Sequence, residues 1–242
     1  MELGMHGHRS AERVTPSSPV LARASGWTGR HLFRQITDVV SDAPLFLVSP
    51  LLRTWHLTWG ATPDEVASAM PGDELLPGAQ YRCTRAITIG AAPEEIWPWL
   101  VQVGVGRAGW YADDLLDNLA RPSATVIRPE LQDIHVGQWL PWLPRPSERT
   151  SFVVDSYTAP EWLLWRAPAR VWAWRLVRCP AGGTRLITRM QVRYDWHRPS
   201  TPLTILLAEV ADFPMMRRML RGLRDRAQTE HRRRVPSSPG GG

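Results

Sequence analysis

The stretch GVGRAG, from Gly104 to Gly109, matches the G-x-G-x-x-G pattern that cradles the pyrophosphate of a dinucleotide. Glu130 follows where that fingerprint carries an acidic residue for a ribose hydroxyl. The fingerprint works only when its glycines leave a parallel strand and open a helix. Here the preceding residues AAPEEIWPWLVQVG predict a helix, so we expect no cofactor. We expect instead a tight turn between two short helices, because glycine adopts a positive φ at little cost.

An acidic group follows, with Asp113, Asp114 and Asp117 in the stretch WYADDLLDNLA. On a helix, Asp113 and Asp117 lie one turn apart and share a face. Paired carboxylates can shift each other's pKa, which suits a general base or a metal ligand. The favoured alternative is a solvated helix face with acids near its N-terminal end. Tyr111, beside them, either donates a hydrogen bond to a ligand carbonyl or packs in the core.

Another polar group, Glu130, Asp133 and His135, lies in ELQDIHVGQW. A zinc site needs three or four converging ligands, and the sequence offers no further His or Cys cluster for it. We therefore predict no metal and expect this stretch to shape a loop over a cavity mouth. The sequence also contains no Gly-x-Ser-x-Gly elbow, Cys/His pair or P-loop, so covalent and phosphoryl-transfer chemistry have no support.

Aromatic residues are the best candidates for a ligand-binding wall. The chain has 13 tryptophans, more than a core of this size needs. We predict that Trp110, Trp165 and Trp174 line a cavity with Tyr111 and stack on a flat ligand; ordinary core packing is the alternative. Arg189 lies among alternating arginines on the last predicted strand. It faces solvent if the apolar face of the strand meets a helix, and it anchors a carboxylate or phenolate if it turns inward.

The elements that must position these residues follow in the order strand, helices, antiparallel strands and long helix. YRCTRAITI alternates as a strand, Pro93 opens a helix, and WYADDLLDNLA predicts a second helix. The runs SFVVDSYTA, EWLLWRA, RVWAWRLVRC and GTRLITRMQVRYDW predict an antiparallel meander. The segment TPLTILLAEVADFPMMRRMLRGLRDRAQTEH predicts a long helix whose apolar stripe comprises Leu206, Val210, Met216, Met219, Leu220 and Leu223. The fold class is therefore α+β.

Composition limits the partners and the compartment. The net charge of +6 comes from the two ends, because residues 61–199 contain 15 arginines and 15 acids. A neutral centre predicts no nucleic-acid surface. Two widely spaced cysteines and the lack of a signal peptide predict a cytoplasmic protein. The apolar run at residues 39–59 is interrupted by prolines and charges, so we expect it to be buried or interfacial, with membrane contact as the alternative.

Three stretches, WGATPDEVASAMPGDELLP, TRAITIGAAPEEIWPWLVQVGVGRAGWYADDLLDN and RPELQDIHVGQW, resemble a bacterial subgroup of the SRPBCC superfamily. This superfamily includes START-like, polyketide cyclase/dehydrase and lipid-transport proteins. The resemblance covers roughly residues 57–230 and is most specific over residues 58–139. It implies a helix-grip fold, in which a curved antiparallel sheet surrounds a long C-terminal helix and two short helices follow the first strand. It also implies a cavity between sheet and helix that takes an apolar ligand.

Four segments are predicted: a disordered N-terminal segment (1–35), an apolar and short-helical extension (36–79), the helix-grip domain (80–230) and a flexible basic tail (231–242). The leading functional hypothesis is binding of a hydrophobic small molecule, lipid- or polyketide-like, without a cofactor. One alternative is a polyketide cyclase or dehydratase that uses a cavity acid, base or arginine. Another is a non-catalytic protein that docks on a membrane surface or a partner through the basic residues of its last helix and tail.

Overall fold

The computed structural model describes residues 53–234 and, before them, Thr37; at Leu207 and Val210 it describes the backbone only. Its α-helices are α1 (Arg53–Leu57), α2 (Pro63–Ala67), α3 (Pro93–Val101), α4 (Thr201–Leu206) and α5 (Asp212–Arg234). A 3₁₀ turn spans Pro129–Leu131, and a π-helical turn, Leu207–Ala211, joins α4 to α5. The strands are β1 (Tyr81–Ile89), β2 (Trp139–Pro141), β3 (Ser151–Thr158), β4 (Trp162–Ala167), β5 (Arg170–Arg178) and β6 (Thr184–Val192).

The six strands form one antiparallel sheet in the order β1-β6-β5-β4-β3-β2. Val192 at the end of β6 lies opposite both Tyr81, where β1 begins, and Arg170, where β5 begins. Ala167, where β4 ends, also pairs with Arg170. These residues mark one end of the sheet, which we call the pocket end because of the cavity described below.

Helix α5 packs along the inner face of the sheet through an apolar stripe. Its buried residues are Phe213, Pro214, Met216, Met219, Leu220, Leu223 and Ala227. One member of the predicted stripe differs, since Leu206 is exposed. The side chain of Val210 lies outside the described part of the chain, and Phe213 is buried in addition to the predicted members. Pro214 lies in the first turn of α5, directly after the π-helical turn, and the helix continues through it. The helix continues to Arg234, past the boundary predicted at residue 230.

The N-terminal extension packs on the outer face of the same sheet. Helix α2 begins with the predicted capping box, in which Thr62 and Glu65 each accept the backbone N–H of the other. After α2, Met70 and Leu76 pack against outward-facing apolar residues of four strands, which are Ala86, Leu164, Val171, Ala173 and Ile187. The sheet therefore has a buried layer on both sides.

The turn at GVGRAG follows α3, as predicted, but it does not lead into a second helix. Gly104 and Gly109 exchange backbone hydrogen bonds of 3.2 and 3.1 Å, and both have positive φ. The segment WYADDLLDNLA that follows forms consecutive turns. Tyr111, Leu119 and Ala120 have left-handed φ values of 54° to 59°, which a helix cannot contain. Of the two short helices predicted after β1, the described residues form only α3.

The remaining predictions about segments concern residues outside the described range, namely the N-terminal segment 1–35, most of the apolar run 39–59, and the tail from residue 235. Among the described residues, none of the helices combines the length and apolar character that crossing a membrane requires.

Candidate ligand-binding site

A cluster of aromatic rings fills the inner face of the sheet. Trp165 on β4 lies opposite Trp172 on β5, and Trp174 follows two residues later, so all three point to the same face. The ring centroids are 5.1 Å apart for Trp165 and Trp172 and 5.0 Å apart for Trp172 and Trp174. Trp110, from the turn after GVGRAG, stacks on Trp172 at 5.9 Å and 15°.

The structure thus brings the predicted residues Trp110, Trp165 and Trp174 together, but as a packed interior. Trp165 and Trp174 are 0% exposed, and their indole N–H groups have no hydrogen-bond partner among the described residues. Edge-on and tilted contacts at these distances are the favourable geometry of aromatic packing. These rings belong to the packed core. They do not line the cavity described below, because other aromatic side chains lie between them and it.

Tyr111 is a hydrogen-bonding residue of the core between α3 and α5. Its hydroxyl accepts from Gln102 Nε2 at 2.8 Å and donates to the Trp99 carbonyl at 3.1 Å. The guanidinium of Arg226 lies 4.4 Å from its ring centroid. A side chain at Gly222 of α5 would collide with the Tyr111 backbone, so this glycine permits the close approach. Burial raises the pKa of Tyr111 to about 12.

Arg189 is not part of the interior cluster, because it points from β6 to the outer face of the sheet. It is fully buried there under the N-terminal extension. Its guanidinium contacts Asp73 at 2.6 Å and Thr84 at 2.8 Å, and also donates to the carbonyls of Glu65, Val66 and Ser68. Neither predicted environment is correct, since Arg189 faces neither solvent nor the ligand side. The reason is that residues 63–76 cover this face, where the Asp73 carboxylate and the backbone carbonyls at the end of α2 accept hydrogen bonds from the guanidinium.

A cavity of about 520 Å³ opens at the pocket end of the sheet. It is built from the β2–β3 loop, the β4–β5 turn, the end of β6 and the segment leading into α4. The lining residues are Trp142, Arg149, Ala167, Pro168, Ala169, Arg170, Val192, Arg193, Tyr194, Asp195, Arg198, Ser200, Thr201 and Thr204.

The apolar wall of this cavity is continuous with the aromatic interior. Trp142 contacts Phe152 with 4.7 Å between ring centroids, and Phe152 lies 5.4 Å from Trp172. Val192 and Tyr194 form the opposite part of the wall and pack with Tyr81 under α4. Burial raises the pKa of Tyr194 to about 12, so its hydroxyl is neutral at physiological pH.

The polar lining is mostly basic. Arg149, Arg170, Arg193 and Arg198 contribute four cations, and Asp195 contributes the lining carboxylate. Asp195 pairs with Arg198 at 2.7 Å and accepts the backbone N–H of His197 at 3.2 Å. These two contacts, the backbone bond first, lower the pKa of Asp195 from its ordinary value. The net charge of the lining is therefore positive.

Behind the cavity wall, a buried ion pair fixes the start of α5. Arg85 of β1 is 0% exposed and contacts the Asp212 carboxylate at 2.5 Å. Tyr81 donates its hydroxyl to the same carboxylate at 2.8 Å, and Arg85 Nε donates to the His56 carbonyl at 2.8 Å. Burial, with the nearby Asp212 charge, raises the pKa of Tyr81 well above its ordinary range. This network joins α1, β1 and α5 beside Tyr194.

The two acidic groups singled out in the sequence lie elsewhere. Asp113 pairs with Arg218 of α5 at 3.3 Å, and Asp114 accepts from both the N–H and the hydroxyl of Ser123. Burial raises the pKa of Asp117 to about 7. Glu130, Asp133 and His135 are exposed and do not line the cavity. Within residues 53–234, no group of three or more His, Cys, Asp or Glu is arranged to hold a metal ion.

A sheet of six antiparallel strands that curves around one long C-terminal helix is the arrangement that the resemblance implies. The chain therefore has a helix-grip fold. The predicted fold class is confirmed by the strand order and by the packing of α5.

No protein-family model matches the chain, and no curated protein matches it. Solved structures similar to it include a Polyketide_cyc-like protein from Corynebacterium glutamicum, 13% identical, with 67% of this chain and 100% of that chain covered and a TM-score of 0.38. An AHSA1-like protein from Aeromonas hydrophila is 12% identical over 66% of this chain and 100% of that chain, with a TM-score of 0.34. A protein from Rhodobacter sphaeroides is 20% identical over 63% of this chain and 95% of that chain, with a TM-score of 0.39.

Sequence reasoning missed the residues that line the cavity of this helix-grip domain. They come from three separate segments, 142–149, 167–170 and 192–204, and none of these segments carries a motif. One signal was available, because in an antiparallel meander the end of β4, the start of β5 and the end of β6 must meet at one sheet end. That rule would have placed Arg170 and Arg193 together beside Ala167.

Proposed function

We propose that the chain binds a hydrophobic small molecule, lipid- or polyketide-like, in the cavity at the pocket end. The observation that carries the proposal is a cavity of about 520 Å³ whose wall runs from Trp142 into the aromatic interior. Small-molecule sites are concave, largely apolar, and carry a few polar groups that orient the ligand. The cavity volume lies inside the range of about 300–1,000 Å³ that is typical of such sites.

The proposed position differs from the one that the resemblance implies. The space between the sheet and α5 is occupied by Trp110, Trp165, Trp172 and Trp174, which contact one another. A ligand therefore binds at the end of the sheet where α4 and α5 begin. This position keeps the apolar part of the ligand against Trp142, Val192 and Tyr194.

Catalysis of the cyclase or dehydratase type is less well supported than binding. Such an enzyme needs a group that exchanges a proton near neutral pH. The carboxylate in the lining, Asp195, is exposed, is paired with Arg198, and has a lowered pKa. It is therefore a weak base, and turnover of a polyketide-like chain would be the observation that revives the enzyme hypothesis.

Titration with N-phenyl-1-naphthylamine, a neutral apolar fluorescent probe, tests the proposal. Thr204 lines the cavity from α4, and Thr204→Trp should fill part of it and weaken probe binding by about tenfold or more. Thr158→Trp is the matched control, because Thr158 is exposed on β3 at the opposite end of the sheet. Equal binding by both variants and the unmodified chain would place the probe elsewhere and contradict the proposal.

A second candidate function, docking on an anionic membrane surface, is favoured by the rim of the cavity. Trp196 is 68% exposed beside Asp195, and Leu203 is 57% exposed beside Thr204. Leu143, next to Trp142, and Leu206 are exposed as well. Exposed Trp and Leu combined with arginines is the composition of surfaces that insert into a lipid interface.

The basic residues on which the sequence hypothesis of docking rested are partly engaged within the chain. Arg217 and Arg221 each lie 5.8 Å from the Trp59 ring centroid, and Arg234 pairs with Glu230 at 3.1 Å. Docking is therefore tested at the rim, by co-sedimentation with vesicles of phosphatidylglycerol and phosphatidylcholine. Trp196→Ser should reduce the bound fraction several-fold, whereas Trp139→Ser, an exposed tryptophan outside the lining, should not. Equal losses in both variants would contradict docking through the rim.

A further inference from the structure

We propose that the ligand of the pocket end is an amphiphile with an anionic headgroup, a carboxylate or a phosphate, and that Arg170 is the residue that binds this headgroup. This inference rests on the proposed function and specifies its ligand class. It is carried by the surroundings of Arg170, by the charge of the lining and by the contrast with the other buried arginines.

Arg170 is a partly buried cation that has no carboxylate of the described residues in salt-bridge contact, and the charge of Asp212 acts on it only from beyond that distance. It begins β5, and its guanidinium carbon lies 5.1 Å from the ring centroid of Trp142. Within residues 53–234, the side chain of Arg170 makes neither a hydrogen bond nor an ion pair that satisfies its charge. A guanidinium has five N–H donors and stays protonated, so the donors of Arg170 at the cavity are available to an anionic ligand.

Three other arginines of the sheet differ from Arg170 because each has a carboxylate partner. Arg85 contacts Asp212 at 2.5 Å, Arg185 contacts Glu65 at 2.6 Å, and Arg189 contacts Asp73 at 2.6 Å. Each of these has a carboxylate from another element within hydrogen-bond distance. Arg170 alone among these four lacks such a carboxylate in the described chain, and it is also the one that lines the cavity.

The contact between Arg170 and the Trp142 ring does not compete with an anion for the N–H groups. A cation–π contact uses the flat face of the guanidinium, whereas a carboxylate or phosphate binds its N–H edge in the same plane. Trp142 can therefore hold Arg170 in position while the ligand takes the N–H groups. The same ring also provides apolar surface for the part of the ligand next to its headgroup.

The remaining charges at the cavity favour an anion over a neutral or cationic ligand. Arg149 and Arg193 also line it, and both are exposed at the mouth. The Asp195 carboxylate is already paired with Arg198, so it does not offset Arg170. A concave site with one sign of charge raises the local concentration of ligands of the opposite sign. The apolar tail then lies against Ala167, Val192 and Tyr194.

Calorimetric titration with decanoate, decyl phosphate and decanol separates headgroup from tail, because the three probes share one chain length. The unmodified chain should bind decanoate or decyl phosphate about tenfold more tightly than decanol at low salt, and this preference should shrink with added sodium chloride. The two anionic arms distinguish a carboxylate ligand from a phosphate ligand. Either preference supports the inference.

Arg170→Met keeps the volume of the side chain and removes its charge. It should abolish most of the preference for the anionic probes and leave decanol affinity within about twofold. Arg178→Met is the matched control, because Arg178 lies on the same strand at the opposite end, is 63% exposed and pairs with Glu94. The control should retain the full preference.

Equal affinity of the unmodified chain for decanoate, decyl phosphate and decanol would overturn the inference while leaving the proposed function intact. An equal loss of preference in Arg170→Met and Arg178→Met would also overturn it. If no probe of any charge binds, and N-phenyl-1-naphthylamine does not bind either, the proposed function itself fails. The salt titration of the unmodified chain tests the inference even if Arg170→Met does not fold.

Discussion

The guanidinium carbon of Arg170 lies 5.1 Å from the centroid of the Trp142 indole ring, and both residues line the cavity at the pocket end. Trp142 therefore provides apolar wall to a ligand and also positions the cation. Trp142→Leu should weaken binding of decanoate about threefold to tenfold, because it removes ring surface and a cation–π contact. Calorimetry measures this change.

The matched control for that variant is Trp139→Leu. Trp139 is 43% exposed on β2 and does not line the cavity. Its replacement should leave decanoate affinity unchanged. A Trp142→Leu protein that binds decanoate as tightly as the unmodified chain would show that this wall does not contact ligand.

The ion pair between Arg85 and Asp212 predicts a large loss of stability when it is broken. Asp212→Asn leaves the fully buried guanidinium without its counter-charge, so the free energy of unfolding should fall by about 3 kcal/mol. Urea denaturation measures it. Glu94→Gln, at an exposed pair with Arg178, is the comparison and should cost less than about 1 kcal/mol.

The double variant Arg85→Met, Asp212→Leu separates loss of the pair from exposure of an unpaired charge. Because apolar residues need no counter-charge, the double variant should be more stable than Asp212→Asn. A double variant less stable than the single one would mean that the polar network with Tyr81 and His56 stabilises the fold beyond its charges.

Arg189 on the outer face should matter for the N-terminal extension and not for the ligand. Arg189→Met removes the donors that hold Asp73 and the carbonyls at the end of α2. Residues 62–80 should then be cleaved faster in limited proteolysis, since the segment loses its attachment to β6. Affinity for N-phenyl-1-naphthylamine should stay within about twofold. A large loss of affinity with unchanged proteolysis would contradict this and would indicate that Arg189 contributes to ligand binding.

Asp117 predicts a pH-dependent stability. Burial raises its pKa to about 7, partly offset by the backbone N–H of Asp113, and the carboxylates of Asp114 and Asp113 add to the rise. In the unfolded chain the pKa is near the ordinary value of about 3.9. The folded chain therefore binds a proton more readily, and the ionised Asp117 destabilises it above pH 7. This destabilisation fades as the pH falls from about 7 to about 4.

Asp117→Asn tests the pH dependence, because an amide oxygen can still accept from the Asp113 N–H. The variant should gain on the order of 2 kcal/mol over the unmodified chain at pH 8, and the gain should be smaller at pH 5. Urea denaturation at the two pH values gives the comparison. A gain that does not change between pH 8 and pH 5 would contradict a raised pKa.

The strands were predictable because each is governed by local alternation. In β1, Ile87 and Ile89 face the interior while Arg82 and Thr88 face outward, as the period of a strand requires. Helix α3 was predictable for a similar reason, since Pro93 and two acids mark its first turn. These elements depend on residues close in sequence.

The second helix after β1 was wrongly predicted because side chains compete with the backbone there. The Asp117 carboxylate accepts the Asp113 N–H at 3.0 Å, and Asp114 accepts from Ser123. Asp side chains offer the chain hydrogen bonds that a helix would otherwise make, so turns replace it. The periodicity of WYADDLLDNLA does not show this, because Ser123 lies outside the stretch.

The candidate site was only partly predictable. Alternation places Trp172 and Trp174 on one face of their strand, but it cannot distinguish a cavity wall from a filled interior, since that depends on the packing of Trp110 from another segment. The position of Arg189 depends on the extension folding back over the sheet. Both outcomes are set by contacts between residues far apart in sequence.

Photo-crosslinking with decanoate that carries a diazirine in its chain shows directly whether the cavity at the pocket end binds an apolar ligand. After irradiation and digestion, we expect labels in the lining segments 142–149, 167–170 and 192–204, and a strong reduction in Thr204→Trp but not in Thr158→Trp. Labels confined to other segments, or equal labelling of all three proteins, would contradict binding in this cavity.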